Sequence, residues 1–446
     1  MRGRRTFPGG VHPPDEKHWT RAKPVEDAPL PERLFVPLSQ HIGAPAKAVV
    51  KKGDKVLAGQ PLGEPAGFVS VPIHAPTSGT VRSVDLYPHP LGTPQPTVEI
   101  EADGDDAWAE EPRGLDDPLG AEPAELRRRI LEAGIVGMGG ATFPTHVKLS
   151  PPPEVSIDAV ILNGVECEPY LTADHRLMLE APDKVLSGLR VFLRIFDLPR
   201  GYIGIEENKP DAIDLLGRLA RESGGAEVVP LRLKYPQGAE KQLIYAVLGR
   251  EVPSGALPMA VGAVVQNVGT AAAVWDAVAA GRPLVERIVT VTGAGVVEPR
   301  NLRARVGAPL AHLIQCCGGL QEDVGKVVMG GPMMGLAQYT LEVPVIKGTS
   351  GVLCLHRSAA RTRPPGPCIS CGRCVEACPM GLSPTTICRY VENEMVAEAD
   401  RWNALDCIEC GSCAYVCPAA IPLVHWIRLG KGRVMARRRA LERAAA

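Results

Sequence analysis

Eight of the thirteen cysteines in this 446-residue chain fall into two copies of one spacing. The first reads Cys368-x-x-Cys371-x-x-Cys374-x-x-x-Cys378-Pro379, and the second reads Cys407-x-x-Cys410-x-x-Cys413-x-x-x-Cys417-Pro418. Three thiolates at this spacing on one tight turn converge on three corners of an iron–sulfur cubane. The fourth cysteine, expected at a helix start, points elsewhere and serves the other cluster. The spacing therefore assigns Cys368, Cys371, Cys374 and Cys417 to one [4Fe–4S] centre, and Cys407, Cys410, Cys413 and Cys378 to a second.

Zinc is the rival reading, since paired C-x-x-C motifs also build ribbons and fingers. Eight cysteines with no interleaved histidine, each quartet closed by x-x-x-Cys-Pro, make an odd zinc site. Disulfides are disfavoured by the lack of a secretory leader, which implies a compartment where thiols stay reduced. Each such cluster carries one electron, so the rest of the chain is expected to supply a donor or an acceptor.

A net charge of −1 and only 4% aromatic residues argue against a nucleic-acid groove or base-stacking platforms. The 47 glycines and 43 prolines fit turns, small β modules and cofactor loops better than a helical bundle. No apolar run approaches the ~18 residues a membrane helix needs. The longest, Ala256 to Val265 and Ala271 to Ala280, are interrupted by Pro258 and Asp276. The basic start Met1-Arg2-Gly3-Arg4-Arg5 runs into Pro-Gly-Gly and does not read as a signal peptide.

The chain divides into seven segments. Residues 1–30 are an irregular, Pro- and Gly-rich arm. Residues 31–100 hold two similar stretches, Val49 to Leu62 and Val71 to Val81, that resemble the barrel-sandwich hybrid of biotinyl and lipoyl carriers. Carriers present a modifiable lysine on the hairpin between these halves. Here the hairpin reads Gly63-Glu64-Pro65-Ala66-Gly67-Phe68, so the module is expected to dock rather than to swing. Residues 101–122 lie within a run from Glu99 to Glu125 that carries eleven acidic residues against one arginine, which marks a solvated linker. Residues 123–286 open with a helix stopped at Gly134 and then alternate strands and helices, the pattern of an α/β sheet domain. Residues 287–345 show the compact β-α-β pattern of a β-grasp module. Residues 346–427 hold the cysteines, and 428–446 form a basic tail suited to a solvated helix face, anionic lipid or a partner protein.

Between the first helix of the α/β domain and its first strand lies a glycine-rich loop, Gly137-Met138-Gly139-Gly140-Ala141-Thr142-Phe143-Pro144-Thr145-His146-Val147-Lys148. Glycine lets backbone N–H groups approach a phosphate closely. The loop departs from the dinucleotide fingerprint, because its glycines follow a helix rather than a strand. On spacing alone, a cofactor loop and a plain tight connection both remain open.

Resemblance adds to this reading. Gly137 to Lys148 is similar to the flavin loop of the NADH-binding flavoprotein of respiratory complex I, G-R-G-G-A-G-F-P-T-G-x-K. Three further stretches follow in the same order. Asn163-x-x-Glu166-x-Glu168-Pro169 is similar to N-A-D-E-x-E-P, Tyr235-x-x-Gly238-x-Glu240-x-x-Leu243-Ile244 to Y-x-x-G-E-E-x-x-L-I, and Gln266-Asn267-Val268-x-Thr270 to N-N-V-E-T. Thr142, Val165 and Ala239 stand where that family has Gly, Asp and Glu, so polar contacts to the flavin ring are expected to differ.

Taken whole, with Thr6-Phe7-Pro8-Gly9-Gly10-Val11-His12-Pro13-Pro14 at the start, the chain resembles the RnfC family. Members of that family are peripheral components of a membrane complex, Rnf, that exchanges electrons between NADH and ferredoxin while moving Na⁺ or H⁺. The resemblance implies a multidomain α/β protein with small β modules: a barrel-sandwich hybrid, a Rossmann-like FMN domain, a β-grasp module and a two-cluster ferredoxin domain. It implies non-covalent FMN, two [4Fe–4S] clusters and NADH as substrate. Gly137, Gly139 and Gly140 are then expected to allow close backbone approach, and Lys148 to place charge near phosphate or ring. Asn163, Glu166, Tyr235, Gly238, Glu240, Asn267 and Thr270 are expected around the flavin. Its partners would be the other subunits of an Rnf-type complex, with ferredoxin reached through one of them, at the cytoplasmic face of a bacterial inner membrane. Two other readings stand beside it: a soluble flavin and iron–sulfur reductase of the cobalamin reductase type, and an electron wire or scaffold without a working flavin site. Cys167 reads as a small buried residue, and Cys316, Cys317, Cys354 and Cys388 as core or surface thiols.

Overall fold

The computed structural model describes residues 5–360 and 363–445. The basic start Met1–Arg4, the last tail residue Ala446, and Arg361 and Thr362 of the cysteine-rich segment lie outside the described residues.

The first module is two small antiparallel sheets. One orders its strands Arg33–Pro37, Gln95–Ala102, Gly79–Tyr87 and Lys55–Val56, and the other Lys47–Ala48, Pro61–Glu64 and Ile73–His74. Val36, Leu62, Ile73, Val81, Val98 and Ile100 close a dry core between the sheets. The hairpin tip keeps Phe68 exposed, and its carbonyl meets His146 Nε2 at 3.0 Å, against the end of the glycine-rich loop.

The expected solvated linker is instead laid along two modules. Ala107 and Ala109 exchange backbone bonds with Ala58 of the first module, and the Leu115 N–H donates to the Val278 carbonyl at 2.8 Å. Its acidic side chains stay at the surface, where Asp106 pairs with Arg305 at 2.5 Å. The charge count described the side chains correctly but said nothing of the backbone, whose polar groups find partners.

The α/β domain runs α1 (Pro123–Glu132), β1 (Ala159–Asn163), α2 (Ala173–Glu180), α3 (Pro182–Phe196), β2 (Gly201–Glu206), α4 (Pro210–Ser223), β3 (Ala226–Leu231), α5 (Glu240–Leu248), β4 (Ala263–Asn267) and α6 (Val268–Ala280). The sheet is wholly parallel in the order β3-β2-β1-β4. Strand β1 reads Ala-Val-Ile-Leu, buried on both faces as an inner parallel strand must be. Helices α3 and α6 pack together so closely that a Cβ on Gly188 would stand 2.0 Å from the Ala271 carbonyl oxygen. Strand order reverses between β1 and β4, and at such a switch point a crevice opens beyond the carboxyl ends of the strands. Asn163 and Asn267 are paired in register at that edge.

The β-grasp module has a six-stranded mixed sheet in the order Val25–Asp27, Arg300–Arg305, Glu286–Thr292, Gly351–His356, Val324–Met329 and Leu336–Ala337. Two of these strands cross expected boundaries. Val25–Asp27 comes from the arm expected to be irregular, and Gly351–His356 lies beyond the boundary expected at residue 345. The residues Lys347-Gly348-Thr349-Ser350 lie just beyond that boundary. They deliver a strand whose Val352, Leu353 and Cys354 are fully buried mid-sheet.

The cysteine-rich module packs short helices on one long one. The basic tail is the continuation of that 23-residue helix, Leu423–Ala445. Its buried stripe of Ile427 and Val434 meets Ile387 and Val391, and Arg438 pairs with Asp400 at 2.6 Å.

Candidate functional site

The glycine-rich loop forms one wall of the crevice at the β1–β4 edge. The Met138 N–H donates to Thr270 Oγ1 at 2.9 Å, and the Gly137 N–H to the Phe143 carbonyl at 2.9 Å. A Cβ on Gly139 would lie 2.7 Å from Asn267 Nδ2, whereas one on Gly140 would meet nothing within 4 Å. None of Gly137, Gly139 and Gly140 has positive φ, so left-handed backbone does not explain them. Positive φ falls at Gly134 and at Thr142, with 65° and 52°. The requirement at Gly139 is close approach to Asn267. That asparagine in turn accepts the Gly269 N–H at 2.7 Å as the N-cap of α6 and donates to Asp174 Oδ2 at 2.6 Å.

Lys148, at the end of the same loop, bonds to Glu240, and Asn163 to Gly238. Lys148 Nζ donates to Glu240 Oε1 at 2.7 Å and to the Val265 carbonyl at 2.6 Å. Asn163 Nδ2 donates to the Gly238 carbonyl at 2.8 Å, and the Gly238 N–H points at Cys167 Sγ, 3.3 Å away. Glu166 accepts the N–H groups of Asp174 and His175 at 2.7 and 3.3 Å, so its carboxylate caps the N-terminus of α2. Tyr235 is the exception among the expected residues. It is 2% exposed and turned away from the crevice, with its hydroxyl donating to the Cys410 carbonyl at 2.8 Å.

Four charged residues at this edge, Arg287, Asp174, Lys17 and Glu168, were not among the expected flavin residues. Arg287, from the β-grasp sheet, is buried, and its guanidinium donates to the Thr349 carbonyl at 3.3 Å and touches the Met138 sulfur. Burial brings it down to about 10, while burial and the nearby Glu166 push Asp174 up to about 6. Lys17 reaches in from the arm to the Glu168 carbonyl at 3.0 Å. Glu168 is pushed up to about 7 by burial and accepts the N–H groups of Met333 and Met334 at 3.1 and 2.8 Å. Glu168 did carry a signal, as the second glutamate of Asn163-x-x-Glu166-x-Glu168. Arg287 and Lys17 lie in other modules and carried none.

These residues fit a flavin. Gly139 and Gly140 are exposed, the space beside Gly140 is open, and the Asn267 amide lies against Gly139. Backbone there is free to approach a planar ring, and the N-terminus of α6 faces the loop.

In the cysteine-rich module an open hollow is lined by Cys368, Cys371, Cys374 and Cys417, with Cys378 not among its lining. Cys378 lies instead among Cys407, Cys410 and Cys413. Burial pushes the Cys413 thiol up, and Cys407, Cys410 and Cys378 add to this. Contrary to expectation, neither fourth cysteine starts a helix. The single helical turns Arg373–Glu376 and Ser412–Tyr415 carry the third cysteine of each quartet, and Cys378 and Cys417 follow them. The prolines after them end the turn, since a residue before proline leaves the helical region. Four thiols around a hollow fit a cubane better than the compact tetrahedron of one zinc ion.

The two quartets differ in depth. Cys371 is exposed and Ile369 beside it is 67% exposed, whereas Cys410 and Cys413 are buried. Cys410 packs with Val11, Tyr235 and Ala377, with Met333 of the β-grasp module against them. Cys317, Cys354 and Cys388 are buried core thiols.

Comparison with known proteins agrees with this architecture. Family models match in order: the RnfC barrel sandwich hybrid domain over residues 5–105, the Nuo51 FMN-binding domain over 130–276, the SLBB domain over 288–337 and a 4Fe-4S dicluster domain over 362–418. The chain is 49% identical to the C component of the Na⁺-translocating ferredoxin:NAD⁺ oxidoreductase complex of Acetobacterium woodii, over 97% of this chain and 98% of that one. It is also 49% identical to the C component of the proton-translocating ferredoxin:NAD⁺ oxidoreductase complex of Clostridium ljungdahlii, over 95% and 93%. Identity to the corresponding component of the ion-translocating oxidoreductase complex of Rhodobacter capsulatus is 43%, over 96% and 83%. Among solved structures, an NAD⁺-reducing [NiFe]-hydrogenase in the H₂-reduced state shares the fold with a TM-score of 0.51, at 19% identity over 70% of this chain and 61% of that one.

Proposed function

The chain belongs to the RnfC family, a redox subunit with an FMN-binding and a dicluster domain, and on that premise we propose how it works. It passes electrons between NADH and two [4Fe–4S] centres, within a membrane-bound complex that couples electron exchange with ferredoxin to the movement of Na⁺ or H⁺. The observation that carries this reading is the layering of the redox elements. The flavin crevice adjoins the buried second quartet through Tyr235 and Cys410, and the first quartet opens at the surface.

FMN, when bound, would supply the conversion between a hydride, a proton carrying an electron pair, and single electrons. Oxidation of NADH to NAD⁺ would release one proton and two electrons, and the centres that the two cysteine quartets would hold can each accept one electron at a time. The chain's own groups do the rest. Gly139 and Gly140 leave room for the ring, and Thr270 holds the loop in place through Met138. Lys148, neutralised here by Glu240, is the cation available to a phosphate or a reduced ring. Tyr235 fixes the neighbouring cysteine loop instead of touching the flavin. Cys371 and Ile369, exposed beside the first quartet, form the face a partner redox protein of the complex would meet, with ferredoxin reached through it.

The complex would hold this protein peripherally at the cytoplasmic face of the bacterial inner membrane. Among the described residues no helix is long and apolar enough to cross a membrane. Anaerobically purified protein is expected to hold stoichiometric FMN and about eight irons, to bleach on NADH addition, and to wash off membranes without detergent. A protein that keeps its iron but binds no FMN would support the scaffold reading. Full activity with no membrane association would support the soluble reductase.

A further inference from the structure

The arm ahead of the first module touches the flavin domain and the cysteine-rich module at the same residues. Arg5 exchanges backbone bonds with Ala246 and Arg232 of the α/β domain, at 3.2 and 3.0 Å. Phe7 is buried, its ring under the Lys234 ammonium at 4.7 Å and its carbonyl accepting that group at 2.8 Å. The Gly10 N–H then donates to the Ala377 carbonyl at 2.9 Å, while Val11 and Tyr235 pair with each other at 2.8 and 2.9 Å. The backbone of Gly9 to Val11 is thus wedged between the residue before Cys378 and the residue that bonds to Cys410.

This wedge admits no side chain. A Cβ on Gly9 would stand 2.7 Å from the Cys378 carbonyl oxygen, and one on Gly10 would stand 2.7 Å from the Tyr235 carbonyl oxygen. Both glycines have positive φ, 72° and 81°, a region that costs any other residue strain. Farther along, the Tyr170 N–H donates to the Asp15 carbonyl at 2.8 Å, and buried Lys17 anchors the strap beside Glu166 and Glu168.

We propose that Gly9 and Gly10 are positioning residues: through them the arm sets the separation between the flavin crevice and the second cysteine quartet, and hence the rate at which electrons cross. The inference rests on the electron-transfer reading above. Electron transfer falls steeply with distance, and displacement by one side chain at this seam moves Cys378 and Cys410 together.

The test uses the full-length holoprotein under anaerobic stopped flow. Gly9→Val and Gly10→Val are expected to keep FMN, iron and dithionite-reducible clusters, and to bleach the flavin with NADH at the wild-type rate. Reduction of the iron–sulfur absorbance by NADH should slow by about tenfold or more, with Gly10→Ala between. The magnetic influence of the nearby cluster on the flavin radical signal should weaken in parallel, a change that simple loss of stability would not produce. Wild-type cluster reduction rates in both valine variants would overturn the proposal. Should those variants fail to fold, amide exchange of wild-type protein decides: Gly10 and Val11 must be protected as strongly as the cysteine-rich core, and exchange at peptide rates would reject the wedge. Failure of wild-type protein itself to transfer electrons from NADH would instead reject the function on which the inference rests.

Discussion

The hydroxyl of Tyr235 donates to the carbonyl of Cys410 across 2.8 Å, joining the flavin domain to the turn that carries the second cysteine quartet. Burial pushes the phenol far above its ordinary value, so it remains a donor at any working pH. Tyr235→Phe would leave a buried carbonyl without a donor, at a cost of about 1–3 kcal/mol to the docking of the two modules. Limited proteolysis should cut the cysteine-rich module more readily in this variant, with iron content unchanged. Unaltered proteolysis would show that the bond contributes nothing to docking.

The lining of the surface hollow predicts how the clusters fail. Cys374→Ser and Cys417→Ser are expected to disturb the same centre, although 43 positions separate them in sequence. Cys378→Ser should disturb the other. Iron quantitation with EPR of each variant reads the result, and loss of different centres from Cys374→Ser and Cys417→Ser would refute the crossed assignment.

The flavin loop separates two kinds of glycine. Gly139→Val must displace Asn267, which caps α6, so this variant should lose FMN. Gly140→Ala projects into open space, so the fold should keep its thermal stability while flavin affinity falls. Lys148→Ala removes one charge-assisted contact of about 1.5–3 kcal/mol, or roughly a ten- to hundredfold loss of affinity. Fluorescence titration of FMN into apoprotein measures all three. Wild-type affinity in Gly140→Ala would place the flavin away from the loop.

Lys347 gives a pH dependence whose sign follows from burial. Its ammonium lies between the first module and the α/β domain, donating to the carbonyls of Pro72 and Gly134 at 3.1 and 2.7 Å, and burial lowers it to about 7. The unfolded chain holds this proton up to about 10.5, the folded one only up to about 7. Between those values the unfolded state binds more protons, so this residue's contribution to stability rises with pH. Lys347→Met should therefore cost more at pH 9 than at pH 6. Part of that cost, about 1–3 kcal/mol, comes from leaving two carbonyls unpaired. Thermal unfolding at the two pH values tests it, and an equal cost at both would mean that Lys347 stays charged in the fold.

Local pattern determined a large part of this protein. Cysteine spacing specifies cluster type because ligand geometry restricts which residues of one short turn can reach a cubane. The alternation of buried strands and helices from α1 to α6 specifies a parallel sheet, because each strand must be covered on both faces. Asn163, Gly238, Asn267 and Thr270 were named by resemblance to flavoprotein motifs, and the fold brings Asn163 against Gly238 and Asn267. Tertiary structure alone decided the rest. Tyr235 sits in a flavin-like motif but faces the cysteines, since its direction is set by a module that begins more than a hundred residues later. Arg287 and Lys17 enter the same edge from the β-grasp sheet and the arm, and Gly351–His356 completes a sheet whose other strands come before it. The arm reads as irregular because its hydrogen bonds go to other modules rather than to itself. A sequence shows the periodicity of bonds made within an element, and it is silent about backbone groups whose partners lie hundreds of residues away.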